Sequence, residues 1–180
     1  MTESADQPLV ADHPEVPAEL ALQGFDGVRA YADAPADSVD LLDRLGFEGL
    51  GGDSEWQARG ADRGGLYAFD EPPAEPGRPG SATVHHVAWA TPPDELEAWR
   101  ALAVEGGARP TPTIDRFYFR SIYFREPSGV LFEIATLGPG FTVDEPLESL
   151  GEKLSLPPDF EHLRERAESL LTPLRNPRQR

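Results

Sequence analysis

The sequence predicts an α+β protein: two β-α-β-β-β modules building a curved mixed sheet with helices outside, followed by a C-terminal helix. Three observations predict it. The order strand, helix, three strands occurs twice; a stretch rich in proline and glycine, EPPAEPGRPGS (71–81), separates the copies; and the last segment carries apolar residues at helical spacing. A chain of 180 residues suits one domain of ordinary size, or two small repeats fused around one core. The expected boundaries are a flexible tail over 1–20, a two-module domain over 21–146 (modules 21–71 and 81–146) and a helical extension over 147–180.

Residues 1–20 are polar and punctuated by Pro8, Pro14 and Pro17; His13, between Asp12 and Pro14, reads as a solvated histidine. The first module opens with a strand over Gly24–Ala32. A helix over Ser38–Leu45 follows, with Val39, Leu42 and Leu45 on one face and Gly46 as its stop. Short strands are expected at Phe47–Leu50, Glu55–Arg59 and Gly65–Phe69.

The second module opens with the strand TVHHVAWA (Thr83–Ala90). Its helix start is marked by Thr91 as N-cap, Pro92 at the first helical position, and Asp94 and Glu95 in the first turn. Leu96, Trp99 and Leu102 face the core, and Gly106-Gly107 ends the helix. Strands near Arg109–Thr113, Phe117–Arg125 and Val130–Thr136 complete the module, the last two joined by the turn Glu126-Pro127-Ser128-Gly129. In the final segment Phe160, Leu163, Ala167, Leu170 and Leu174 step by three or four, with His162 off that stripe and at the surface.

Acidic residues outnumber basic ones 32 to 16, a formal charge of −16. That charge excludes a nucleic-acid binder, because no basic stripe exists to displace counterions from phosphates. Lys153 is the single lysine among the cations. Abundant carboxylate with so little lysine suggests a salt-rich, halophilic cytoplasm that screens self-repulsion; an ordinary acidic protein is the alternative. Cysteine is absent, which removes disulfides, thiolate nucleophiles and Cys-ligated metal centres. No run approaches the roughly 18 apolar residues of a membrane span, and the N-terminus lacks a signal peptide's basic and apolar regions. The chain reads as soluble and cytoplasmic, with no membrane partner.

Chemistry concentrates at His85, His86 and Glu133. In a strand alternate residues share a face, so His86 points with Val84, Ala88 and Ala90, small neighbours that leave room for an ion, while His85 points with Val87 and Trp89. Glu133 interrupts the apolar run VLFEIA, where an unpaired carboxylate is costly to bury. A divalent cation held by His86 and Glu133 would remove that cost; a core histidine, and a Glu133 paired with Arg116 or Arg125, is the plain alternative. Continuing the Glu126–Gly129 turn outward sets Tyr123 opposite Glu133. Arg116 offers a fixed fork of donors to an anionic oxygen.

The motifs HHVAW, DRFYFRSIYFREPSGVLFEIAT, GPGFTVDEP and LGEKLSLPP, with the doubled β-α-β-β-β order, resemble the vicinal oxygen chelate superfamily of glyoxalases, bleomycin-resistance proteins and extradiol dioxygenases. More narrowly they resemble the C-terminal half of ring-cleaving dioxygenases that act on hydroquinone-type substrates. The resemblance implies Fe(II), or alternatively Mn(II), held by two histidines and a carboxylate with open positions for a ring oxygen and O₂. By position His86 and Glu133 match metal ligands, and His85, Arg116 and Tyr123 match residues around the metal and substrate. His85 would suit proton transfer, since imidazole titrates near neutrality.

The resemblance implies a protein nearly twice this length, with a histidine near the start of its N-terminal half as the third ligand, and the motifs here match only the C-terminal half. Asp26 stands where His85 would fall in the first repeat, as a candidate ligand or a solvated loop residue. The implied partners are therefore a small aromatic substrate, O₂, and either a second copy of the chain or an N-terminal-half chain. A non-catalytic binding or assembly module, and a glyoxalase-like isomerase or transferase, are the other readings of the same fold.

Overall fold

Alternating apolar and polar residues make each repeat a four-stranded mixed sheet, seen in a computed structural model that describes residues 6–10, 15–75, 77–78, 80–81 and 83–173. In the first module β1 (Gly27–Tyr31) lies parallel to β4 (Gly64–Asp70), and β3 (Glu55–Arg59) and the short β2 (Glu48–Gly49) continue antiparallel, in the order β1-β4-β3-β2. A 3-10 turn at Pro35–Ser38 leads into α1 (Val39–Arg44). The second module repeats the plan with β5 (Val87–Thr91), α2 (Leu96–Glu105), β6 (Ile114–Asp115), β7 (Phe119–Arg125) and β8 (Leu131–Pro139), in the order β5-β8-β7-β6. No helix among the described residues is long and apolar enough to cross a membrane.

The two sheets share one core. Leu41 and Leu42 of α1, Phe47, Trp56 and Tyr67 pack in the same buried cluster as Leu96, Ile122, Phe124 and Phe132 of the second module. Aromatic edges cross the module boundary, Phe47 to Trp89 at 4.9 Å and Tyr67 to Phe132 at 5.2 Å between ring centroids. Tyr67 and Phe132 are fully buried, and each such side chain contributes roughly 1.5–3 kcal/mol.

A polar clamp reinforces the seam. Glu126, in the β7–β8 turn and 1% exposed, accepts hydrogen bonds from Ser38 Oγ at the start of α1 and from the backbone N–H groups of Ser128 (3.0 Å) and Val130 (2.9 Å). Gly129 closes that turn at φ +92°, a conformation that glycine adopts without steric cost.

Four local expectations are corrected. β5 begins at Val87, not Thr83, because its ladder with β8 starts at the Val87–Phe132 pair and β8 has only Leu131 before that pair, leaving Thr83–His85 without a partner on that strand. Thr91 is not an N-cap: it closes β5 opposite Thr136, and α2 starts five residues later, at Leu96, with no side-chain cap. The stretch 109–113 forms no strand; Thr111 makes isolated bonds to Tyr123, and only Ile114–Asp115 pair with β7. The C-terminal stripe is a 3-10 segment, Pro158–Leu163, running into a short α3 (Arg164–Leu170), and Phe160, Leu163 and Leu170 stay exposed rather than packing on the sheets. Leu174 and His13 lie outside the described residues. In the N-terminal segment, Leu9 donates to the Gln23 carbonyl and the Asp6 carboxylate meets Arg59 and the Gly64 N–H.

Two stability tests follow from the seam. Glu126→Ala strips three donors of their acceptor and is expected to cost about 2–4 kcal/mol in urea unfolding. Burial, with the Glu126 charge second, raises the Tyr67 hydroxyl well above its ordinary 10.0. The native state therefore keeps a proton that the unfolded chain releases above pH 10. Stability should be fully present below that pH and fall as pH rises beyond it, and Tyr67→Phe should flatten the decline in urea midpoint.

Candidate metal centre

Along β8 side chains alternate between the shared core and the opposite face. Phe132, Ile134 and Thr136 enter the core side, which sends Glu133 to the other face. Glu133 is nevertheless buried, at 4% exposure. Its neighbours explain this. Tyr123 on β7 is its direct register partner and donates its hydroxyl hydrogen to Glu133 Oε1 at 2.5 Å. His86, in the extended segment just before β5, sets Nε2 2.8 Å from Oε2. Ala88, the register partner across β5, is too small to crowd the group and is exposed.

The remaining expected residues gather here too. His85 Nδ1 lies 3.0 Å from His86 Nδ1, so one ring donates and the other accepts. The Arg116 guanidinium carbon sits 5.4 Å from the centroid of the Tyr123 ring, a cation–π contact. Neither arginine pairs with Glu133 as the plain alternative had it: Arg125 donates to the Gly129 carbonyl. His86 and Tyr123 thus meet Glu133 directly, Arg116 joins through the Tyr123 ring, and His85, expected to face away with Val87 and Trp89, instead joins through His86 from outside the strand.

The donor set fits part of a divalent site. One imidazole nitrogen and one buried carboxylate converge, the donor types that suit Fe, Mn or Zn. With His86 Nε2 bare for an ion, its Nδ1–H would donate to His85, the outer hydrogen bond that orients a ligating histidine. Among the described residues no group of three His, Cys, Asp or Glu side chains could hold an ion.

The first module has no counterpart. Matching the core pair Val28–Tyr67 to Val87–Phe132 sets Asp26 at the place of His85, Gly27 at that of His86 and Ala68 at that of Glu133. A Cβ on Gly27 would lie 2.6 Å from the Leu66 carbonyl oxygen, so no histidine fits there without moving β1.

The sequence profile of the Glyoxalase/Bleomycin resistance protein/Dioxygenase superfamily matches residues 25–134. The chain belongs to this superfamily. A relative from Bacillus subtilis (strain 168) named "Putative ring-cleaving dioxygenase MhqO" is 39% identical over 163 residues, covering 88% of this chain and 52% of that protein. Chlorohydroquinone/hydroquinone 1,2-dioxygenase of Sphingobium indicum is 32% identical over 164 residues, covering 86% of this chain and 50% of that enzyme. A crystal structure from Bacillus subtilis, titled as a putative dioxygenase, superposes with a TM-score of 0.82 at 37% identity, over 94% of this chain and 56% of that one. The chain therefore spans about half the length of the relatives it matches.

Within this superfamily member the buried Glu133 depends on Tyr123 for one of its two hydrogen bonds. Tyr123→Phe is expected to cost about 1.5–3 kcal/mol, a bond to a charged group, read from urea unfolding of the metal-free protein.

Proposed function

We propose that the chain is the metal-binding half of a ring-cleaving dioxygenase acting on hydroquinone- or catechol-type rings. One observation carries the reading: His86 Nε2 and the Tyr123 hydroxyl converge on the buried Glu133 carboxylate, 2.8 and 2.5 Å away. His86 and Glu133 would hold Fe(II), with Mn(II) as the alternative ion, and the third donor would come from a second copy of the chain or from an N-terminal-half chain. Such an ion supplies a single centre at which a ring oxygen and O₂ are activated together.

The chain's own residues divide the remaining work. Arg116 holds an anionic ring oxygen against the face of Tyr123, using its planar donor fork. Tyr123 keeps Glu133 in place and offers its hydroxyl to a substrate oxygen. His85 fixes the His86 ring by accepting its Nδ1–H, and would take up a proton released when the ring hydroxyl binds only by giving up that bond and protonating on Nδ1. Exposed Ala88 and Ala90 leave the adjoining face open for a flat ring. The names and extents of the relatives support this assignment.

A second reading, an aromatic-binding or assembly module without catalysis, draws on the two-donor count among the described residues. Anaerobic Fe(II) loading followed by elemental analysis separates the two. Wild type should retain iron and consume O₂ when hydroquinone is added with the partner present. His86→Ala and Glu133→Ala should each bind iron at least about tenfold more weakly, since a ligand should matter no less than its outer-shell support. Equal iron in all three proteins, or ring binding that ignores chelators and survives Glu133→Ala, would overturn the dioxygenase reading.

A further inference from the structure

The hairpin between β6 and β7 turns on Phe117 and Tyr118, and its chemistry is unusual for its shape. Phe117 has φ +70° and is the one non-glycine residue at positive φ among those described. Tight hairpin turns place glycine or asparagine at such positions, and a bulky residue there persists only where its surroundings hold it. They do so here. Asp115 Oδ1 accepts the Phe117 N–H at 2.7 Å, the Arg116 carbonyl accepts the Tyr118 N–H at 2.9 Å in a γ-turn, and Arg116 N–H donates to the Phe119 carbonyl at 2.8 Å.

The following strap pins the turn from outside. Gly140 N–H donates to the Tyr118 carbonyl at 2.8 Å, and the Tyr118 hydroxyl donates to Asp144 Oδ2 at 2.9 Å. Ser155 Oγ donates to the same carboxylate oxygen at 3.2 Å. The Tyr118 ring rests against Phe117 and Phe141, at 5.0 and 5.4 Å between centroids. On the inner side the register shifts between Phe119 and Ser121, and Arg120 N–H turns to Thr136 Oγ1 at 3.0 Å, the kind of bulge that re-aims side chains beside active sites. Asp144 is exposed, so the shared core does not require this latch.

We propose that the strained Phe117 turn, latched through Tyr118 to Asp144 of the 139–155 strap, is a positioning device that aims Arg116 over the Tyr123 ring to receive an anionic oxygen of the aromatic substrate. The aim of Arg116 stands on geometry alone; the oxygen it receives rests on the function proposed above. Tyr118 and Asp144 are positioning residues that act through Arg116.

The test reads Arg116 directly. Its side-chain Nε–Hε NMR signal, assigned by its loss in Arg116→Lys, should be displaced by the Tyr123 ring and return in Tyr123→Leu. Tyr118→Phe and Asp144→Asn should each carry the signal at least halfway to the Tyr123→Leu position. A merely stabilising latch would lower the unfolding midpoint and leave the signal in place, and that result in both variants would overturn the proposal. Visible titration with 4-nitrocatechol supplies the second reading, in which Arg116→Lys should weaken binding about tenfold, as loss of a charged hydrogen bond would. Unchanged nitrocatechol binding in Arg116→Lys beside a displaced signal would overturn the substrate role and leave the positioning intact.

Discussion

A carboxylate buried within an apolar strand governs this structure. Left alone, an ionised Glu133 would cost several kcal/mol, and nothing on its own strand can relieve it. Relief comes from two other places in the chain: a tyrosine brought opposite by the β7–β8 hairpin, and a histidine delivered by the segment entering β5. Each of these depends on a fold decision made elsewhere. The Tyr123 register requires the Glu126–Gly129 turn, and the His86 approach requires β5 to run parallel to β8, which only a crossover through α2 permits. Such a group does little for stability, because apolar residues of similar size often serve a core equally well. Its presence is easier to understand as chemistry that the fold tolerates.

Much of this was legible in the residues. The β3 boundaries, Glu55–Arg59, follow directly from turn signals on either side, and the Tyr123–Glu133 pairing follows from the EPSG turn alone, since hairpin register is set by the turn. The doubled element order emerged intact because it rests on periodicity and on glycine and proline punctuation, which are local. What stayed hidden was non-local. Thr83–His86 have strand-like composition, but whether a strand forms depends on a partner, and the ladder with β8 starts only at Val87. Thr91 looks like a helix cap until the ladder with Thr136 claims it. In the sequence Glu126 marks only a turn, because its partner Ser38 lies 88 positions away. Asp144 stands inside the GPGFTVDEP motif, but its hydrogen bond is not legible there, since it depends on a strap folding back on Tyr118.

The two repeats have the same plan and unequal content. Where the second carries an imidazole and a carboxylate, the first carries Gly27 and Ala68, and close packing of Gly27 on Leu66 leaves no space for a ligating side chain. The first module instead spends its polar groups on its own surface, as where Arg29 grips Asp70 through paired contacts and holds that carboxyl below its usual range.

The seam between the modules has a consequence for anyone who would dissect the molecule. Tyr67 and Trp89 meet edge to face, and Glu126 of one repeat accepts a hydrogen bond from Ser38 of the other. A cut through the proline-rich connection would strand an aromatic wall on each piece and take from Glu126 one of its three donors. The smallest transplantable unit is therefore the couple.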